Sequence, residues 1–188
     1  MTNTYTQKAW SLDSLYPSPD GPEIKAAFKD LETQTAAFEK KRPLLTDKIS
    51  QAELVTIIEA LESIYRIGHR VASYAELWFS ANTQNQDALG MVMRTEQLLS
   101  EISNRTLFFG LWWKDLPDEV AQPLMAGTGD YRYWLEEMRH FKPHTLSEPE
   151  EKIINTKNVT GVNALGTLYD SITNRYVFKV EVAGEVKE

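Results

Sequence analysis

Long runs of helical periodicity separated by short polar breaks dominate this chain. Between residues 23 and 41, Ile24, Ala27, Phe28, Leu31, Thr35 and Phe38 fall on one stripe with Glu and Lys between them. Pro22 sits where a helix starts comfortably, and Pro43 where one must end. Ser50-Gln-Ala-Glu53 is a capping-box pattern. Behind it Leu54, Ile57, Ile58, Leu61, Ile64, Ile67, Val71, Tyr74, Ala75 and Trp78 keep a 3.6-residue period to near Asn82, about eight turns. Gly68 interrupts this run at a cost of ~1 kcal/mol against Ala unless close packing requires it. A third long helix is predicted from Gln86 to Lys114, with Leu89, Val92, Met93, Leu99, Ile102 and Thr106 on its buried side. Its end, Leu107 to Trp113, is apolar all round and needs several neighbours.

Shorter elements follow. Pro117 opens a helix to about Ala126, and Gly127-Thr-Gly129 breaks it. Tyr131 to Phe141 forms an aromatic-rich helix stopped by Pro143. Ser147-Glu-Pro-Glu150 is a second capping box, and the helix behind it carries Ile153, Ile154, Leu165, Leu168 and Tyr169, with a kink at Gly161. Tyr176, Phe178, Val180 and Val182 then alternate with Val177, Lys179, Glu181 and Ala183 as a half-buried strand. Its one neighbour is a stub of four residues after Gly184, and an isolated hairpin is marginal in water. The expected fold is mainly α: an antiparallel long-helix bundle over residues 1–115, then a helical segment over 116–188 that leads into a β-hairpin. The strand and the Phe108–Trp113 run both call for partners that the sequence barely supplies, so the chain reads as the front portion of something longer.

Composition narrows the functional classes. The 188 residues carry 20 basic and 27 acidic side chains, a formal charge of −7, and no basic cluster exceeds Lys40-Lys41-Arg42. That argues against nucleic acid as a partner. No Cys is present, which removes disulfides and thiolate metal sites. No apolar stretch has the length of a signal peptide or a membrane span, so no membrane partner is expected and a cytoplasmic location is. Two glycosylation sequons, at Asn104 and Asn158, carry no weight in that setting.

Candidate chemistry is sparse. His69 lies opposite the apolar stripe of its helix. His140 and His144 have the i,i+4 spacing of a zinc pair, but Pro143 breaks the helix between them and no Glu stands at the base position. Glu148, Glu150 and Glu151 resemble an acid cluster, yet at a helix N-terminus their place is against free amides and the positive end of the dipole. Glu136-Glu137 and Asp118-Glu119 read as surface charges. Tyr131, Trp134 and Met138 read as core or interface contacts. No catalytic, cofactor-binding or metal-binding residue is therefore assigned.

A resemblance adds what the residues alone do not. Lys142-Pro-His-Thr-Leu-Ser-Glu-Pro-Glu-Glu-Lys-Ile-Ile154, with Gly161, Ala164, Leu168-Tyr-Asp170 and Phe178, resembles the oligoendopeptidase F family, zinc oligopeptidases related to thimet oligopeptidase. Trp10-Ser-Leu12 with Leu15-Tyr16 is similar to the family's entry motif. Tyr74-Ala-Glu-Leu77 with Phe79-Ser-Ala-Asn-Thr83 is similar to the pattern ending its long second helix. Leu165 departs from the pattern, since a Trp is expected after the alanine. The family's H-E-x-x-H helix does not occur here, so no zinc ligand or general base carries over. The resemblance implies an N-terminal helical wall of a channel around a zinc site whose ligands lie elsewhere. The rest of the catalytic domain would be the partner and short peptides the substrates, while this chain alone would be inactive. The competing expectation is a stand-alone acidic helical module that binds a protein without catalysis.

Overall fold

The computed structural model describes residues 10–182 and 184–187. Three long amphipathic helices, α1 (Pro22–Glu39), α2 (Gln51–Ala81) and α3 (Gln86–Asp115), meet along their apolar stripes. α2 packs on both α1 and α3, and α1 also touches α3. The starts are chemically fixed. Ser50 and Glu53 form the expected capping box, with the Glu53 amide donating to Ser50 Oγ at 3.2 Å and the Ser50 amide donating to Glu53 Oε2 at 3.1 Å. Asn85 caps α3 by accepting from the Asp87 and Ala88 amides at 3.0 and 3.2 Å. Gly68 is where α2 and α3 approach: a Cβ there would lie 2.9 Å from Leu99 Cδ2. The packing needs the missing side chain, which offsets its helix-propensity cost.

The buried stripe of α3 differs from expectation at its start. Ala88, Met91, Val92 and Thr95 are buried, whereas Leu89 is only half-buried and Met93 is 60 % exposed. The row Val92, Thr95, Ile102, Thr106, Phe109, Trp113 follows the contact with the bundle. Leu89 and Met93 sit one position round the helix, beyond that contact.

The apolar end of α3 is covered within the chain, contrary to the expectation of missing partners. Phe108 and Phe109 pack against Phe38, with ring centroids 5.3 and 6.4 Å apart, and Trp134 stacks on Phe109 at 6.1 Å. The cover comes from α1, through Phe38, and from α5 (Arg132–His140), which α4 (Asp118–Ala126) carries back after Pro117. Trp113 is fully buried and its indole N–H donates to the Leu135 carbonyl at 2.8 Å. Pro117 has no N–H to give the Trp113 carbonyl four residues before it. The guanidinium of Arg139 takes over that role, donating to the carbonyls of Trp113 at 2.7 Å and Leu116 at 2.8 Å and pairing with Asp118. Lys142 Nζ reaches the Asp115 and Leu116 carbonyls at 3.2 and 3.0 Å. The C-terminus of α3 is thus capped by two cations from the next hairpin, as its dipole favours.

After a 3₁₀ turn at Lys142–His144 the chain enters one long composite helix. α6 (Glu148–Asn158) runs into a π-helical turn (Val159–Asn163) and then α7 (Ala164–Thr173). The kink expected at Gly161 is therefore a π turn. None of the apolar residues on α6 and α7 is fully buried, and Ile153, Ile154, Val162, Leu165, Leu168, Tyr169 and Ile172 are exposed. The expected half-buried strand over 176–182 is not observed as such. Only β1 (Val180–Val182) pairs with β2 (Glu185–Lys187), antiparallel with Glu181 opposite Val186, and β1 is exposed along its length. Tyr176, Val177 and Phe178 precede it without strand pairing and are also exposed. The alternation is present, but no described layer lies against either face.

Candidate functional site

The three stretches singled out by their sequence lie side by side. Tyr16 is buried with its ring edge-on to Tyr74 at 5.6 Å. Arg70 lies over the Tyr16 ring at 5.0 Å and donates to the Leu15 carbonyl at 2.7 Å, which holds the entry segment against α2. At the far end of α2, buried Thr83 accepts a hydrogen bond at 2.7 Å from Asn174, just past α7. Arg175 adds a bond at 3.1 Å to Gln84 Oε1. The sequence singled out Thr83 but not Asn174, because a pairing over ninety-one positions leaves no local signal.

The composite helix is pinned at a second place. Ser100 Oγ donates to the Asn155 carbonyl at 3.1 Å, Asn155 Nδ2 donates to Asn104 Oδ1 at 3.0 Å, and Asn104 Nδ2 donates to Thr156 Oγ1 at 3.2 Å. Between this pin and the Thr83–Asn174 bond, the π turn still touches α3 while α7 diverges from it, and the two together bridge the pins like a strut. A cleft of about 630 Å³ opens on the α2 side, lined by Glu76, Glu96, Asn155, Asn158, Asn163 and Asp170 among others. A second cleft, of about 720 Å³, opens on the opposite side over Leu89, Met93, Val159, Ala164 and Leu168. Glu96, Ser100, Val159 and Thr167 belong to both. Burial, and then the neighbouring Glu76, hold the Glu96 carboxyl above its ordinary value.

The residues weighed for chemistry are engaged structurally. Glu150 accepts from the Ser147 amide at 2.9 Å and from its hydroxyl at 2.6 Å, completing the second capping box. Glu151 accepts from the Leu146 amide at 3.0 Å. Glu148 goes beyond the expected dipole role. It binds Arg42, with oxygen–nitrogen distances of 3.2 and 2.7 Å, and Lys152 at 2.6 Å, so it clasps the composite helix to the loop after α1. Those cations hold its carboxyl below the usual carboxylate range. His69 is exposed beside Tyr65. His140 ends α5 with Nδ1 3.5 Å from Glu137 Oε1, and exposed His144 lies in the following 3₁₀ turn. Among the described residues no three His, Cys, Asp or Glu side chains converge as a metal would require. A catalytic zinc ion, which needs at least three such ligands, finds no fitting set among the described residues.

Comparison with known proteins places one boundary on this region. Residues 112–178 match the family model described as Oligopeptidase F, for the N-terminal region of M3 peptidases. The match takes in the capped end of α3, α4 to α7 and the apolar stretch before β1, and it supports the resemblance carried by residues 142–178. The stretches around Tyr16 and Tyr74 lie outside it and are tied to the bundle by the contacts above. No curated protein and no solved structure matches the chain.

Proposed function

We propose, from an oligopeptidase F N-terminal region at residues 112–178, that this chain forms the helical wall of a channel in an M3-type zinc peptidase acting on short peptides. The zinc ligands and the general base would come from residues outside this chain. The role of residues 10–187 would be enclosure: a wall that admits narrow peptides and keeps folded proteins from the scissile-bond site. Protein partner and substrate then differ, the first being the peptidase body and the second a short peptide. A cytoplasmic setting accords with the absence of Cys, and no described helix is long and apolar enough to cross a membrane.

One observation carries this reading. The bundle α1–α5 closes round its own core, while the matched segment leaves Ile153, Leu165, Leu168, Tyr169, Tyr176 and Phe178 exposed along its outer length. A face of that kind marks contact with further protein. Two measurements test it. Reading the gene downstream is expected to show an H-E-x-x-H motif; a stop after Glu188 in the natural gene would overturn the proposal. The purified chain with zinc and a quenched fluorescent peptide is expected to show no turnover above buffer, and metal-dependent cleavage would refute the division of labour.

A further inference from the structure

The strut formed by the π turn and α7 says something about the chemistry of whatever covers it. Its apolar cleft runs from Thr156 to Ser171, about 22 Å at the helical rise, the length of roughly four turns of a docked helix. Leu89 and Met93 form one wall and Leu168 the other, and Met93 and Leu168 are both exposed. The charges round the strut are one-sided. Glu76, Glu96, Glu101 and Asp170 line the two clefts against a single cation, Arg94. Among the described residues none of these four carboxylates is in an ion pair; Glu101 accepts only from Gln97 at 3.3 Å. Because the clefts share Glu96, the carboxylates of one flank act on an occupant of the other within a screening length of about 8–10 Å.

We infer that the apolar cleft between α3 and α7 seats a cationic amphipathic helix of the peptidase body, with apolar side chains on Met93, Leu89 and Leu168 and Lys or Arg side chains facing Glu96 and Glu101. Helix-in-groove docking of this kind uses apolar anchors at i, i+3, i+4 and i+7, and complementary rim charges set orientation and partner choice. A neutral or acidic helix of equal apolarity would fill the cleft but leave the carboxylates unanswered. The inference rests on the peptidase reading for its source of helix, not for its chemistry.

The test uses the 188-residue chain and two labelled synthetic probes: a Leu/Lys amphipathic helical peptide and its Leu/Glu counterpart, followed by fluorescence anisotropy. The Leu/Lys probe is expected to bind about tenfold or more tighter at low salt. The preference should shrink to less than about threefold in the E96Q/E101Q/D170N variant and persist in the control variant E119Q/E136Q/E137Q, which removes as many carboxylates elsewhere. M93E or L168E should weaken the Leu/Lys probe despite the added negative charge. Equal binding of both probes, or equal loss in the two triple variants, would overturn the inference and show only attraction to an acidic protein. These outcomes leave the peptidase reading standing, since that falls on the downstream sequence and the turnover assay.

Discussion

Replacing Arg139 with Ala removes the cap from the end of α3, and the loss can be worked from its partners. The guanidinium is the partner of the Trp113 carbonyl, which Pro117 leaves without a helical donor, and shares the Leu116 carbonyl with Lys142. Two carbonyls losing a charged donor in a poorly hydrated place cost about 1–3 kcal/mol each before relaxation. The guanidinium also lies 5.8 Å over the Trp113 ring, worth about 0.5–1 kcal/mol. Lys142 offsets part of the Leu116 loss, so R139A is expected to destabilise by about 3–4 kcal/mol. A chain of this length loses about 2–4 °C per kcal/mol, so Tm should fall by about 6–16 °C in a circular-dichroism melt at neutral pH. The Asp118 ion pair is a different matter. That carboxylate side chain is 78 % exposed, so D118N should cost less than about 1 kcal/mol. R139K, which keeps the charge and loses the fork, should fall between the two. An R139A variant melting within about 2 °C of the parent, or a D118N variant as damaged as R139A, would refute carbonyl capping as the source of stability.

Acid sensitivity should follow the clasps. Arg105 holds Glu39, and Arg42 with Lys152 holds Glu148, below the ordinary value of 4.5, so their contribution is present above that pH and is lost as pH falls through the lower folded values. The decline of Tm below about pH 4.5 should be shallower in R42A and R105A; an unchanged slope would show that these pairs contribute nothing. Glu96 has the opposite sign, its folded value being raised, so ionisation at neutral pH opposes folding and E96Q should melt at or above the parent temperature at pH 7. A clear loss in E96Q would contradict that sign. G127A should cost about 1–2 kcal/mol, since a Cβ there would collide with the Gln51 carboxamide and displace the bond that Gln51 Nε2 donates to the Pro123 carbonyl, whereas G166A meets nothing within 4 Å and should gain up to about 1 kcal/mol by urea unfolding. Sedimentation of the isolated chain should show concentration-dependent association that L165K/Y169K suppresses; a strict monomer before and after substitution would argue against an interactive outer face.

The parts of the fold that were legible in the sequence are those fixed within a few residues. Periodicity and the Ser50–Glu53 box place α1, α2 and α3 to within a residue or two, and the Ser147–Glu150 box fixes the start of α6, because caps and apolar stripes are local. What failed depended on distant neighbours. The Phe108–Trp113 run carries no mark that Phe38 and Trp134 will cover it. Leu89 and Met93 look like stripe residues until the side on which α2 packs is known. The strand at 176–182 has the right alternation, but only Val180–Val182 has a partner to bond with, so pairing decides its length. The site was legible as identity more than as geometry. Residues 142–178 announced a peptidase region, whereas the Thr83–Asn174 pin and the carboxylates round α7 exist only once α2, α3 and α7 are side by side.

The π turn at Val159–Asn163 gives the strut one residue of slack. A π turn is an α-helix that has taken in an extra residue without rotating the segments on either side of it. Deleting Thr160 should therefore convert the turn to plain α-helix while Asn155 and Asn174 keep their partners, whereas deleting Gly166 inside α7 would turn the residues after it, Tyr169 and Asn174 among them, by about 100° relative to the Asn155 pin. The chain can lose a residue at this turn and still present the same side chains in the same direction. A length change that would scramble an ordinary helix is, at this turn, a silent edit.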